Sequence, residues 1–442
     1  MLFNLVDYCC IWFTSSITVP ATILFFASAV ILTINTKCIQ LRGFPRFLSL
    51  LFNGFSHKKE HDNHGRVSTI NSFHALFTAM ASTIGMGNIV GPSVAIMIGG
   101  PGALFWLLLY MFFGAASKFV EVTFALSTRV EISNRLIGGP MEYLKLIHPW
   151  LAYWYTMIMI FLFMSWSSLQ SNTLASVLSL EGMPAYYVGI ALAVAVLFVI
   201  SGGVRRIGDV ASTLVPLMFV LYVVFSATIL FADISSLKEA IKLAFTHAFN
   251  GMAPVGGFAG ASVLIAMREG IYRSIFITEA GLGTSSIAHA MADTKQPVDQ
   301  GLLALFSMLS DALLSSLSGL IVLVTGVWKS GNFRSTLIYE AFKLHSPCYG
   351  KYVLLMSITL FVITTAIGNT FNGIQSFAAL FRNSWVKWYI RCSAIAIFAG
   401  ALLPVQSMWN IMDVLLTLVA IPNVIGLVIL SFTHAKVLYL TK

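Results

Sequence analysis

Two apolar runs in this chain are interrupted by glycine at positions where an interruption can do chemistry. The first reads Thr83-Ile84-Gly85-Met86-Gly87-Asn88-Ile89-Val90-Gly91-Pro92, the second Phe276-Ile277-Thr278-Glu279-Ala280-Gly281-Leu282-Gly283-Thr284. Within a helix each Gly costs about 1 kcal/mol relative to Ala, and Pro about 3 kcal/mol. Clustered in one apolar segment, they predict an unwound stretch between two half-helices. Such a stretch presents carbonyls at the end of the first half-helix and N–H groups at the start of the second. The N–H end suits a carboxylate, and the carbonyl end suits a hard cation such as Na⁺. Close helix packing is the competing reading, since Gly87 and Gly91 also form a small-xxx-small pair.

The polar residues near these runs define the remaining candidates. Asn88 offers a donor and an acceptor beside the first interruption, to a substrate or as a helix cap. Gln170 and Asn172 lie in the middle of another apolar run, where an amide needs a partner. Glu279 is costly if ionised at membrane depth. It can neutralise a cation, carry a proton, or tie down freed N–H groups, and the last is the expectation here. Lys118 and Glu121 are expected to lock together near one end of their helix. Asp311 and Asp413 face the bundle or an aqueous path. Arg268 and Arg273 can pair at a cytoplasmic gate, and snorkelling to the interface is the expectation.

These residues must be positioned by membrane-spanning helices. Of 442 residues 58% are apolar and only 10% charged, against roughly 25% charged in soluble domains. Mean hydropathy is +0.86. With 26 Lys+Arg and 17 Asp+Glu, the chain cannot clothe a soluble surface of this size. A soluble enzyme, a disordered chain and a nucleic-acid-binding domain are excluded, and a β-barrel would need short alternating segments. The net charge of +9 therefore reflects loops at a lipid surface and no nucleic-acid partner. About 20 apolar residues make a span. The segments 17–36, 70–98, 102–127, 151–179, 185–201, 212–232, 252–287, 301–328, 352–381, 386–403 and 408–433 qualify. The first is an extra helix, and the others are spans one to ten.

Each interrupted run opens a set of five spans. An odd number per set inverts the second set relative to the first, and matched broken helices in inverted repeats mark the binding site of a secondary transporter. The expected division is 1–66 for the extra helix and a loop, 67–245 for the first repeat and 246–442 for the second. Basic residues concentrate on the side holding Arg42, Arg46, Arg129, Arg205 and Arg206, with Arg268 and Arg273 placed there too. That predicts an outside N-terminus and a cytoplasmic C-terminus in the plasma (inner) membrane. The first Lys is Lys37, so no basic region precedes the first apolar run and no cleaved signal peptide is expected. The tract His57-Lys58-Lys59-Glu60-His61-Asp62-Asn63-His64 reads as a solvated loop and not a metal site. The five cysteines form no CxxC pair. An intramembrane enzyme would need a positioned nucleophile, base or metal. His289 near Asp293 is the only approach to one. No phosphate loop GxxxxGK[ST] occurs, so energy must come from a gradient or a separate subunit.

The segment Thr78-Ala79-Met80-Ala81-Ser82-Thr83-Ile84-Gly85-Met86-Gly87-Asn88-Ile89, followed by Gly91, resembles the T-A-L-A-G-T-V-G-T-G-N-I-x-G pattern of the sodium:alanine symporter family. Gly99-Gly100-Pro101-Gly102-Ala103, Lys118-Phe119-Val120-Glu121, Gly138-Gly139-Pro140-Met141, Gln170-Ser171-Asn172 and Val204-Arg205-Arg206-Ile207 are similar to further family blocks. So are Glu279 through Thr284, Ala288-His289-Ala290, Lys295 through Gly301, and Asp311. Ser82, Met86, Thr278 and Glu142 depart from the usual residues. Thr364-Thr365-Ala366-Ile367-Gly368-Asn369-Thr370-Phe371-Asn372-Gly373 stands where the family has T-T-x-x-G-W-x-Y-x-G-E, and the Trp and the Glu are missing.

The resemblance implies an all-α polytopic membrane protein of LeuT type: a 5+5 inverted repeat with one extra N-terminal helix, 11 transmembrane helices in all. It implies import of small neutral amino acids, alanine, glycine or D-alanine, with co-transported Na⁺ and no other cofactor. Expected substrate contacts are Thr83, Gly87, Asn88, Gln170, Thr278, Gly281, Gly283 and Asn369. Expected Na⁺ ligands are Thr83, Ile84, Thr364 and Thr365, the threonine hydroxyls pairing with backbone carbonyls at the first break. Gly85, Gly91 and Glu279 are expected to shape or gate the breaks. A proton-coupled or differently selective carrier of the same fold is the alternative.

Overall fold

A computed structural model describes residues 2–56, 70–132, 135–253, 255, 260–294, 296–330, 337–345, 349–381 and 383–438. The tract from His57 to His64 lies outside the described residues. The helices in chain order are α1 (Leu2–Asn35), α2 (Ile39–Arg42), α3 (Phe44–Ser56), α4 (Ser72–Thr83), α5 (Met86–Gly99), α6 (Gly102–Ser127), α7 (Pro140–Tyr143), α8 (Pro149–Ser179) and α9 (Ala185–Ser201). They continue with α10 (Gly203–Ala232), α11 (Ile234–Asn250), α12 (Val263–Thr278), α13 (Thr284–His289), α14 (Pro297–Thr325), α15 (Leu337–His345), α16 (Gly350–Leu380), α17 (Val386–Leu402) and α18 (Val405–Thr433). The strands β1 (Val130–Ile132) and β2 (Arg135–Ile137) pair antiparallel.

Local sequence explains most boundaries. Gly100, at φ +73°, ends α5. Proline occupies the first turn of α8 and of α14, where a missing N–H costs nothing. The Asp233 carboxylate accepts from Ser235 N and Ser236 N and starts α11.

Among the described residues seven helices are long and apolar enough to span a membrane, and α4 with α5, bent by 40°, makes an eighth. The remaining expected spans are α9 and α17, 17 residues each, and the α12–α13 pair. Span six, expected as 252–287, is corrected: Met252 and Ala261 form an isolated bridge, and helix begins only at Val263. The extra helix starts earlier than expected, at Leu2. The amphipathic α11 and α15 and the β1–β2 hairpin escape a search for apolar runs because each mixes charged residues into its pattern.

The two interrupted segments form the centre. Every residue from Ala75 to Ile96 and from Glu269 to Ala292 is buried. α6 and α14 pack against α5, α12 packs against α5 and α6, and α8 braces α16, α17 and α18. The broken helices run antiparallel. At one end Ile70 N donates to Met291 O (3.1 Å) and Asp293 N to Ile70 O (2.8 Å). At the other, a Cβ on Gly99 would lie 3.0 Å from Ala266 Cα. This corrects the placement of Arg268 and Arg273. They share a face with the end of α5, opposite Asp293 and Arg129.

Candidate functional site

The first break is two residues long. Ile84 is extended (φ −80°, ψ 99°), as is Gly85 (φ −151°, ψ −157°), and α5 begins at Met86. A Cβ on Gly85 would meet Thr365 Oγ1 at 2.4 Å, so only glycine lets α16 approach. At this contact the Thr365 hydroxyl is 3.0 Å from Ile84 O and 2.8 Å from Phe361 O in its own helix. A backbone carbonyl and a hydroxyl converge there, the oxygen donors that a hard cation takes. Thr364, expected beside it, is turned away. Its hydroxyl bonds Leu360 O (2.9 Å) and lies 3.3 Å from Met218 Sδ of α10. The hydroxyl of Thr83 reaches back to Met80 O (3.4 Å).

On the other side of the break, Gln170 Oε1 is 3.4 Å from Met86 N. Asn88 takes the second of its two expected roles, the helix cap. Its Oδ1 accepts from Gly85 N (3.0 Å) and its Nδ2 donates to Asp311 Oδ1 (2.8 Å). Both ends of the amide are engaged by the protein at the break. Gly87 and Gly91 accommodate α12: a Cβ would come within 3.2 Å of Phe276 and 2.9 Å of Ile277. Phe276 stacks on Trp166 of α8 (5.4 Å between centroids) and touches Trp409 of α18 (5.0 Å). Asn172 donates to Gly400 O and Leu403 O (2.8 and 2.6 Å), tying α8 to the end of α17.

The second break is stitched shut by the protein itself. Glu279, Gly281 and Gly283 all have positive φ. The Glu121 carboxylate accepts from Gly281 N (2.8 Å) and Gly283 N (3.0 Å). The carbonyls are taken too: Thr278 O by Lys118 Nζ (2.8 Å), Ala280 O by Tyr110 (3.1 Å), Gly281 O by Asn423 (2.9 Å) and Leu282 O by Tyr155 (2.5 Å). Lys118 thus meets the C-terminal end of α12 and Glu121 the N–H groups ahead of α13, each charge matching the dipole it faces.

Three expectations are corrected here. Lys118 and Glu121 do not lock together; each holds one side of the break. The freed N–H groups are tied down by Glu121 and not by Glu279, whose carboxylate accepts from the Thr284 hydroxyl. Gly281 and Gly283 have no N–H left for a substrate, and the Thr278 hydroxyl is engaged by Ser274 O (2.8 Å) and Ala280 N (3.3 Å). The roles of Tyr110, Tyr155 and Asn423 were missed, for each lies far in sequence from the carbonyl it meets. The one available signal was Lys118 and Glu121, an i, i+3 charged pair in an otherwise apolar run.

The arginines near the breaks are paired. Arg268 pairs with Glu269 (2.7 Å). Arg273 is buried, 4.0 Å from Asp413 and over the Trp409 ring, and does not snorkel. His289 is buried and bonds Gln300 (2.8 Å). Asn369 is fully buried. A cavity of about 310 Å³ lined by Trp150, Trp154, Ile421 and Pro422 lies between α8 and α18. Its lining is apolar apart from Thr417, whose hydroxyl is taken by Asp413 O (2.8 Å).

Two broken helices buried inside a scaffold of helices define a secondary transporter of LeuT-like fold. The crystal structure of MhsT in complex with L-phenylalanine shares that fold, with a TM-score of 0.61 over 83% of this chain and 90% of that one at 15% identity. A sequence model described as the sodium:alanine symporter family matches residues 5–440, and the chain belongs to that family. It is similar to an uncharacterized transporter of Haemophilus influenzae (34% identical, covering 92% of this chain and 90% of that one). It is also similar to the sodium/alanine symporter AgcS of Methanococcus maripaludis (30%, covering 92% and 91%). A probable sodium/glutamine symporter GlnT of Bacillus subtilis is 30% identical, covering 94% and 86%. The chain is accordingly a multi-pass membrane protein, a Na⁺-coupled amino-acid symporter and not an enzyme.

Proposed function

We propose that this symporter imports small neutral amino acids, with alanine, glycine and D-alanine as the substrates to try first, together with Na⁺ by alternating access. The observation that carries this reading is the contrast between the breaks. The polar backbone of the second is engaged by Lys118, Glu121, Tyr110, Tyr155 and Asn423. The first places the start of α5 beside Gln170 and brings the Ile84 carbonyl to Thr365. The substrate carboxylate then docks at the Gly87 N–H and takes the place of Gln170 Oε1 at Met86 N, where the helix dipole favours negative charge. Na⁺ docks at Ile84 O and the Thr365 hydroxyl. The names of relatives support an amino acid as cargo and differ in its side chain.

In this reading α1 is the extra helix. α4 to α10 form the first five spans (67–245) and α12 to α18 the second five, inverted (246–442), giving 11 spans. The N-terminus is outside and the C-terminus cytoplasmic, in the plasma (inner) membrane. Moving Arg268 and Arg273 to the outer face leaves the basic excess inside.

Uptake of labelled alanine into proteoliposomes, under an inward Na⁺ gradient and then with choline in place of Na⁺, tests the proposal. Accumulation only with Na⁺ is expected. Proton-coupled uptake is the second reading, favoured by Asp311 Oδ2 and Glu279 Oε1, buried carboxylate oxygens with no partner among the described residues. Accumulation in choline driven by a pH gradient would replace Na⁺ coupling with it.

A further inference from the structure

α16 carries two asparagines, Asn369 and Asn372, that are fully buried. Among the described residues neither amide has a hydrogen-bond partner at its nitrogen or its oxygen. Buried polar groups are paired in the great majority of proteins, and an unpaired one forfeits its hydration. Four orphaned amide atoms on one helix therefore call for partners from outside the chain.

Their position says which partner. Thr365 meets the break at Ile84 and Gly85, and a Cβ on Gly368 would lie 2.6 Å from Ser82 N. Rising numbers on α16 thus run against falling numbers on α4. Asn369 and Asn372 follow Thr365 by four and seven residues, so all three lie on one helix face. The asparagines continue that face along α4, from the break toward the level of Thr78, whose hydroxyl is also buried and, among the described residues, unpartnered. Asn369 stands where the family pattern has Trp. An indole offers a donor alone, whereas the Asn369 amide offers both a donor and an acceptor.

We propose that Asn369 and Asn372 form a subsite that reads the substrate's side chain. The preferred cargo is a neutral amino acid whose side chain both donates and accepts hydrogen bonds, a hydroxyl or a carboxamide. This rests on the reading that an amino acid docks at the first break, and it narrows that reading from small neutral substrates to polar ones. The chemistry is asymmetric. A site with buried hydrogen-bonding groups rejects an apolar isostere strongly, because the isostere leaves those groups unpaired.

The test uses isosteric pairs. The full-length protein in phosphatidylethanolamine–phosphatidylglycerol vesicles, under an inward Na⁺ gradient, is given labelled serine against α-aminobutyrate and asparagine against leucine. The polar member of at least one pair is expected to win by at least about tenfold in transport efficiency. Asn369→Leu is expected to bring that ratio toward one. Asn372→Leu is the second variant should the first not reach the membrane, and the ratio is read within each variant, so a lowered overall rate does not matter. Na⁺-driven alanine uptake by the parent with no polar preference overturns the subsite and leaves the transport reading standing. A polar preference untouched by either substitution overturns the subsite as well. No Na⁺-driven uptake of any amino acid removes both.

Discussion

At the scale of single residues, the contact between Gly85 and Thr365 concentrates the most function in the fewest atoms. The glycine is there because a Cβ would lie 2.4 Å from Thr365 Oγ1, and the hydroxyl it admits is 3.0 Å from Ile84 O. With Na⁺ docked as proposed, Thr365→Ala removes one of its ligands without changing the helix. It should raise the Na⁺ concentration for half-maximal uptake by about tenfold, the factor that corresponds to 1.4 kcal/mol, whereas Thr365→Ser should restore it. Thr364→Ala, on the α10 side, should leave Na⁺ dependence unmoved. If instead Thr364→Ala shifted the dependence and Thr365→Ala did not, the cation site would be misassigned. Gly85→Ala should reach the membrane and fail to concentrate substrate, since the added methyl pushes α16 off the break; uptake by membranes with verified protein content checks this.

At the scale of elements, a helix broken inside a membrane must satisfy the backbone groups it frees. The chain solves this in two ways. At the second break, side chains from α6, α8 and α18 take the carbonyls, and one carboxylate takes two N–H groups. At the first, Asn88 caps its own half-helix and is held by Asp311 of α14. Glu121→Leu leaves the N–H groups of Gly281 and Gly283 without an acceptor. It should lower thermal stability in detergent by about 3 kcal/mol, with Glu121→Gln falling in between because its amide oxygen still accepts. A Glu121→Leu midpoint equal to the parent's would mean that the α12–α13 break is satisfied some other way.

At the scale of the whole molecule, both ends of the broken pair are closed. Ile70 bridges Met291 and Asp293 on one face, and Arg129 clasps the same end, its Nη1 3.0 Å from Ala290 O and 2.6 Å from Ala292 O. On the other face Gly99 packs on Ala266, while Arg273 approaches Asp413 between α12 and α18. Alternating access requires these closures to open in turn. Cysteines at Ile70 and Ala292, which pair in the isolated bridge, should cross-link under oxidation and stop uptake, and reduction should restore it. Transport that continues in fully cross-linked protein would mean that this end does not open. Around the closed centre, apolar side chains such as Phe198, Val224 and Phe432 remain exposed. On a soluble protein such a belt would be a liability; here it faces lipid.

How much of this was legible beforehand follows from the range of the forces involved. Apolar runs, glycine clusters and turn residues act over one or two helical turns, so the sequence by itself determined that the chain is a membrane helix bundle, that it breaks near Gly85 and near Gly281, and to which family it belongs. What satisfies each break depends on residues such as Glu121, Tyr155 and Asn423, brought together from 127 to 302 positions apart. No local pattern encodes those pairings. Thr364 and Thr365 look alike in the sequence, and only the rotation of α16 against α4 decides that one faces the break and the other faces α10. The same holds for Asn88, Gln170 and Asn369, three amides of similar chemistry. Packing commits the first to the protein, sets the second at the N–H end of the break, and leaves the third buried without a partner among the described residues.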